Sequence, residues 1–275
     1  MVFSQIRFLF ILLVLMLFAA NISRAETISY VRYQTEAGPR FGILNGDQIA
    51  ELSAGLFPVS EKTGKRISVE EVRLLPPTDA RKVFAVGMNF ASHIASSSSQ
   101  PPPLFLKLPS SLIGSGEEIV LPKDASNVHF EGELVLIIGK RAKNISEEDV
   151  EDYIFGLTAG NDLSERNWQG QDLQWMRAKA SDGFGPVGPV LVTGLDPNNL
   201  LLTTRLNGEI VQQENTQNMI HKPAKVVSYL SRYFTLEPGD MIFMGTPGRT
   251  KSLKDSDVIE VTIEGIGTLS NRVSR

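Results

Sequence analysis

No cysteine occurs in the 275 residues, and that one absence narrows the chemistry more than any residue that is present. Without thiols there are no disulfides, no thiolate metal ligands and no cysteine nucleophile. A lipoprotein leader is excluded in its usual form, because there is nothing to acylate. Dense Lys/Arg runs and aromatic–basic stripes are also missing, and the formal net charge is −4. Non-specific affinity for nucleic acid comes from neutralising phosphates, so nucleic acid is not an expected partner. From residue 82 onward no long amphipathic helix is legible, and there is no internal repeat.

Long apolar runs are nearly absent too, with one exception. Phe8–Ala20 holds thirteen residues without a polar side chain, after Arg7 and before Ser23-Arg24-Ala25. A spanning helix needs about 20 such residues, and a small-x-small step before Glu26 has the layout of a cleaved secretory signal. We expect a leader over residues 1–25 cut after Ala25, a periplasmic or secreted protein, and no stable membrane anchor once the leader is gone. Losing Arg7 and Arg24 takes the formal charge from −4 to −6.

What remains reads as short strands broken by Gly, Pro and Asn. Residues 28–33 alternate, and residues 40–44 and 48–52 flank Asn45-Gly46-Asp47, a hairpin turn. This predicts a small β-rich N-terminal domain over 26–76, a connector at Leu75-Pro76-Pro77-Thr78, and a larger domain over 80–275. Helices are expected at 146–153, opened by the capping-box-like Ser146-x-x-Asp149, and at 222–232. The fold class is mixed and mostly β, α+β with few helices. Between two strand-like runs lies Ser96-Ser97-Ser98-Ser99-Gln100-Pro101-Pro102-Pro103, which cannot pack a core and is expected to be an exposed loop within the domain.

The chemistry concentrates in the run 128–139, which reads as a strand. Residues two apart share a face of a strand, so Glu131 and Glu133 project side by side, and Gly132 between them allows close approach to the backbone. Everything after Glu133 to residue 138 is apolar, so the pair sits at the mouth of a buried strand and loses hydration. A divalent cation is the simplest remedy. A shared proton or Lys/Arg partners are alternatives, and a solvated strand face accounts for Glu-x-Glu equally well. A third carboxylate, Asp162, ends the apolar run 153–160, joined to the first strand by a short helix that would let the two lie side by side. Three carboxylates without sulfur or a nearby imidazole form an all-oxygen set suited to Mg²⁺, Mn²⁺ or Ca²⁺.

Phe130-Glu131-Gly132-Glu133-Leu134 followed by Gly160-Asn161-Asp162-Leu163-Ser164 resembles the fumarylacetoacetate hydrolase family. The likeness extends through Val86-Gly87-Met88-Asn89-Phe90-x-x-His93, Phe105-Leu106-Lys107-x-Pro109, Ala178-Lys179-x-x-Asp182-Gly183, Gly245-Thr246-Pro247 and Ile263-Glu264-Gly265, in the family's order. It implies a β-roll or sandwich domain, a homodimer, and a metal-dependent enzyme that cleaves a C–C bond in a small anionic 2-oxo or 1,3-dioxo carboxylic acid. Glu131, Glu133 and Asp162 match the family's Mg²⁺ or Mn²⁺ ligands. Arg166 and Gln169 match contacts to the oxo-acid end, Lys179 a lysine beside the metal, Thr246 the residue that receives a carboxylate, and His93 the base. His129 and His221 match nothing of this kind and read as structural or surface histidines.

One departure bears on mechanism. Many members place a glutamate three residues after the histidine base, where it orients the imidazole and raises its basicity. Here that position is Ser96, and no acid occurs between Asn89 and Gly116. Water attack on a β-dicarbonyl would suffer from the loss, whereas tautomerisation or decarboxylation of a 2-oxo acid on the same site would suffer less. An exported binding protein that no longer turns over is the reading from a different class.

Overall fold

Glycine at a two-residue turn sets the register of the second hairpin. In the computed structural model, which describes residues 26–94 and 101–275, the chain opens with a meander of β1 (Ile28–Thr35), β2 (Gly38–Asn45), β3 (Gln48–Leu52) and β4 (Lys62–Ser68). Asn45 faces Gln48 across Gly46-Asp47, and Gly46 has φ 61°, where a side chain would be strained. The expected leader over residues 1–25, and Ser96, lie outside the described residues.

Short strands follow: β5 (Leu74–Leu75), β6 (Val83–Val86), β7 (Leu104–Lys107), β8 (Leu112–Ile113), β9 (Ile119–Val120) and β10 (Val128–His129). Next come the long central pair β11 (Gly132–Ile138) and β12 (Ile154–Asn161), then β13 (Ser164–Glu165). The chain continues with β14 (Gly185–Thr193), β15 (Leu201–Leu206), β16 (Glu209–Asn215), β17 (Met241–Phe243), β18 (Val258–Ile263) and β19 (Gly267–Ser274). Among the described residues the larger sheet has twelve strands in the order β4-β3-β2-β1-β14-β12-β11-β17-β6-β7, with β5 beside β1 and β8 beside β14. A second sheet has the order β16-β15-β18-β19-β9. The β-rich start of the chain is therefore not a separate sheet. β1 pairs antiparallel with β14, Tyr30 opposite Leu191, and extends the sheet that carries the site.

β11 is buried along its whole length, which explains its unbroken apolar run: both faces of the sheet are covered there. Leu134, Leu136 and Ile138 pack on one side with Val226, Val227 and Leu230, while Val135 and Ile137 pack on the other with Phe243 and Leu191. The second sheet rests directly on this strand. A Cβ at Gly132 would stand 2.1 Å from Thr204 Oγ1 of β15, so only glycine fits.

Two expectations change in detail. The run 128–139 is two strands rather than one, since the chain leaves β10, paired with β13, and enters β11, paired with β12, across Phe130 and Glu131. The helix at 146–153 shrinks to one 3₁₀ turn, Val150–Tyr153. Asp149 stands at the start of that turn without capping its backbone, and Ser146 Oγ donates to Asp149 Oδ2 at 2.8 Å, so the two side chains satisfy each other and not the main chain. The remaining helices are α1 (Arg166–Gln169), α2 (Met176–Ala180) and α3 (Pro223–Tyr233), the last close to expectation and opened by proline at its first turn. No helix among the described residues is long and apolar enough to cross a membrane.

Candidate active site

Antiparallel pairing of β11 with β12 sets Gly132 opposite Asn161 and Glu133 opposite Gly160, which brings Asp162, one residue past β12, to the two glutamates. Glu131 stands in the break between β10 and β11. Its N–H donates to Asn161 Oδ1 at 2.9 Å, and its carbonyl accepts from Asp162 N–H at 2.8 Å, so side chain and backbone both replace the missing ladder. All three acids are buried, and one carboxylate oxygen of each lies within 4.8 Å of the others. Hard oxygen donors converging at that spacing in a buried niche fit a divalent cation of the Mg²⁺ or Mn²⁺ kind.

Three cations face the triad. Lys179, in α2 and buried, donates to Glu131 Oε2 at 2.5 Å and to Asp162 Oδ2 at 2.6 Å. Arg166, opening α1, donates to Glu131 Oε1 at 2.6 Å. Lys107 enters from the far side, donating to Asp162 Oδ1 at 2.5 Å and to the carbonyl of Lys179. The charges distribute unevenly. Burial alone would raise the Glu131 carboxyl, but Lys179, Arg166 and His93 together hold it well below the usual range. For Glu133 burial raises the carboxyl, and Asp162 and Glu131 raise it further; Lys179 and a 2.7 Å hydrogen bond from Gly245 N–H only partly oppose this. Lys179 stays an ammonium: burial lowers it, and the two carboxylates more than restore it. Burial wins at Lys107 and depresses its pKa despite Asp162.

His93, in the turn after Phe90, points its Nε2 toward Glu131 Oε1 at 3.7 Å. Its other nitrogen, Nδ1, lies 2.6 Å from the carbonyl oxygen of Gly248. A carbonyl only accepts, so Nδ1 carries a hydrogen, and Nε2 is the ring nitrogen turned to the triad. The orienting partner missing from the neighbourhood of His93 in sequence is thus supplied by the backbone of a distant loop. Gly248 N–H donates to Ser92 Oγ at 3.0 Å, gripping the same turn a second time.

All eight residues named from the sequence, His93, Glu131, Glu133, Asp162, Arg166, Gln169, Lys179 and Thr246, line one small cavity of about 60 Å³. Gln169 Oε1 accepts from Arg166 Nη1 at 2.8 Å. Thr246 Oγ1 donates to the carbonyl of Gly132 and accepts from Gln212 Nε2, each at 2.9 Å, so its hydroxyl proton is committed to the protein rather than offered to a ligand. The rest of the wall is apolar: Val86, Gly87, Met88, Phe105 and Trp175. Phe105 meets Trp175 edge-on at 5.7 Å and lies 4.8 Å from Lys179 Nζ, a cation–π contact. Met88 and Trp175 are among five described non-glycine residues with positive φ, at 53° and 57°, and such strain gathers at ligand sites. His221 lies outside the cavity, buried, its N–H donating to Asn89 Oδ1 at 2.7 Å. His129 sits behind Arg166, where burial and the arginine charge lower its pKa.

Lys107, Phe105, Trp175 and Gly248 were not singled out from the sequence as parts of the site. Lys107 did leave a signal, a lysine directly after the apolar run Leu104-Phe105-Leu106. The carbonyl of Gly248 could leave none, because every residue has one.

Comparison with known proteins gives the family. The family model described as fumarylacetoacetate (FAA) hydrolase C-terminal matches residues 82–274, and one described as Rv2993c-like, N-terminal, matches residues 29–77. Protein Rv2993c of Mycobacterium tuberculosis is 44% identical over 231 residues, covering 82% of this chain and 87% of that protein. Oxaloacetate tautomerase Fahd2a, mitochondrial, of Rattus norvegicus is 38% identical over 214 residues, covering 73% of this chain and 68% of the rat protein. The crystal structure of 5-carboxymethyl-2-hydroxymuconate delta-isomerase from Mycobacterium smegmatis superposes with a TM-score of 0.86 at 39% identity, over 90% of this chain and 99% of that one. With its acidic triad, its β-rich architecture and these matches, the chain belongs to the fumarylacetoacetate hydrolase family.

Proposed function

We propose that this protein is a divalent-metal-dependent enzyme that moves a proton on a small 2-oxo carboxylic acid, interconverting its enol and keto forms. The observation that carries the reading is His93: its Nε2 faces the carboxylate triad while its Nδ1 rests on a neutral carbonyl, not on an acid. An imidazole held in this way can take a proton from an enol oxygen and return it to the adjacent carbon, which balances without water or any co-reactant. Sustained activation of water for C–C cleavage gains more from a carboxylate partner that stabilises the imidazolium. Relatives named as a tautomerase and an isomerase support the same class of chemistry.

The residues present fit a bound Mg²⁺ or Mn²⁺ on Glu131, Glu133 and Asp162, which would supply Lewis-acid stabilisation of negative charge on the oxo-acid oxygens. Around it, Lys179 is a fixed ammonium on the cavity wall, and Arg166 turns its remaining N–H groups toward an incoming carboxylate. Gln169, with its oxygen spent on Arg166, has its amide hydrogens free for the same end. Met88, Phe105 and Trp175 give the far wall an apolar face against which the non-reacting part of a substrate could pack. We further propose that the protein works outside the cytoplasm as a homodimer.

The test is an activity panel. Purified protein beginning at Glu26 is mixed with Mg²⁺ or Mn²⁺ and enol-form oxaloacetate or acylpyruvates, following enol absorbance together with pyruvate and CO₂. Metal-dependent loss of enol absorbance without new products is expected. Stoichiometric pyruvate plus a second acid would replace this reading with C–C hydrolysis, and metal-dependent binding without turnover would replace it with a binding protein.

A further inference from the structure

We propose that Thr250, backed by His129, is a positioning residue that fixes the guanidinium of Arg166 and so sets how tightly an oxo-acid carboxylate is held. The proposal rests on the reading of Arg166 as the oxo-acid anchor. Thr250 Oγ1 lies 3.1 Å from Arg166 Nη2 and 2.9 Å from His129 Nδ1. Arginine only donates, so the threonine oxygen accepts from Nη2 and its own hydrogen is directed at His129. His129 can receive it. Its Nε2 donates to Asn127 Oδ1 at 2.9 Å, which leaves the lone pair of the neutral ring on Nδ1.

The chain of contacts then closes on itself. Asn127 N–H donates to buried Glu165 at 2.8 Å, and the Asn127 carbonyl accepts the main-chain N–H of Arg166 at 3.0 Å. Thr250 is brought to this place by backbone pairing: Leu253 N–H donates to the Val128 carbonyl at 2.7 Å, and Ser252 bridges to His129. With Glu131 and Thr250 as acceptors, both Nη2 hydrogens are committed, and Gln169 takes one from Nη1. One Nη1 hydrogen and the Nε hydrogen are left for a ligand. Without the threonine hydroxyl the guanidinium loses its outer stay and can turn about its bond to Glu131. The loop that steadies His93 through Gly248 thus also steadies the anion anchor through Thr250.

The experiment is calorimetric titration of Mn²⁺, then of oxalate onto Mn²⁺-saturated protein, oxalate being a planar dianion shaped like the chelating end of a 2-oxo acid. The proteins are wild type, Thr250→Val, Thr250→Ser, Arg166→Met and the Arg166→Met, Thr250→Val double variant. Expected are Mn²⁺ affinities within about twofold for both Thr250 single variants and oxalate affinity about tenfold weaker in Thr250→Val. Thr250→Ser should bind like wild type, and Thr250→Val should add nothing once Arg166 is gone. The proposal is overturned if Thr250→Val binds oxalate normally, if it loses Mn²⁺, if Thr250→Ser is equally weak, or if the double variant is additive. Wild type that binds Mn²⁺ but no oxalate removes the oxo-acid reading itself, and this proposal with it.

Discussion

Glu133 is the least well compensated of the three acids. Its carboxyl is pushed above the usual range by burial and by two neighbouring acids, whereas the pKa of Glu131 is pulled the other way by its cations. A carboxyl whose folded pKa is raised contributes stability below its unfolded pKa, about 4.3, and loses it as pH rises through the folded value. Urea unfolding in EDTA should therefore show wild type losing stability from pH 5 to pH 8, and Glu133→Gln losing less. Parallel profiles for the two proteins would remove the like-charge argument. Lys179 supplies the complementary case. Glu131 and Asp162 both depend on its ammonium, so Lys179→Met should destabilise the EDTA-treated protein by about 3–5 kcal/mol. Mg²⁺ should recover part of that loss, read as a rise in Tm absent from metal-free controls. Spacing alone left the three acids as consistent with a solvated strand face as with a ligand set, and it was the resemblance of the surrounding motifs to a known family that singled them out. The orientation of His93 was not legible, since a main-chain oxygen more than a hundred residues away decides it.

At the level of elements, the glycine between the two glutamates matters as much as they do. Thr204 Oγ1 fills the place where a Cβ on Gly132 would stand, and among the described residues that hydroxyl has no hydrogen-bond partner. Gly132→Ala should cost about 1–3 kcal/mol through overpacking. Thr204→Ala should be close to neutral alone and return most of the loss in the double variant, as thermal melts of the four proteins would show. An additive result would mean that the strain lies in the strand and not between the sheets. The pairing of β11 with β12 was readable, because two buried runs joined by a short acidic link have few other arrangements. The strand break at Glu131 was hidden. Periodicity continues across it, and only the side chain of Asn161 reveals that the ladder has changed partners.

Across the whole molecule, the β-rich start of the chain is part of the sheet that bears the site. Its mostly β character was plain from short punctuated runs, but pairing of residue 30 with residue 191 leaves no local mark in sequence. Removing residues 26–76 would uncover the edge of β14 and the core around Val31 and Tyr33. Such a truncation should be recovered aggregated, and a soluble species with a cooperative melt would show that the remaining domain stands alone. The cavity likewise gathers its groups from stretches far apart in the chain: the turn at His93, β7, the β10–β11 break, the end of β12, α2, and the loop after β17. An ion held by Glu131, Glu133 and Asp162 would tie the two long central strands together at one end. In a chain with no cysteine, that is the tether a cystine would otherwise provide, and one that opens and closes with the supply of metal.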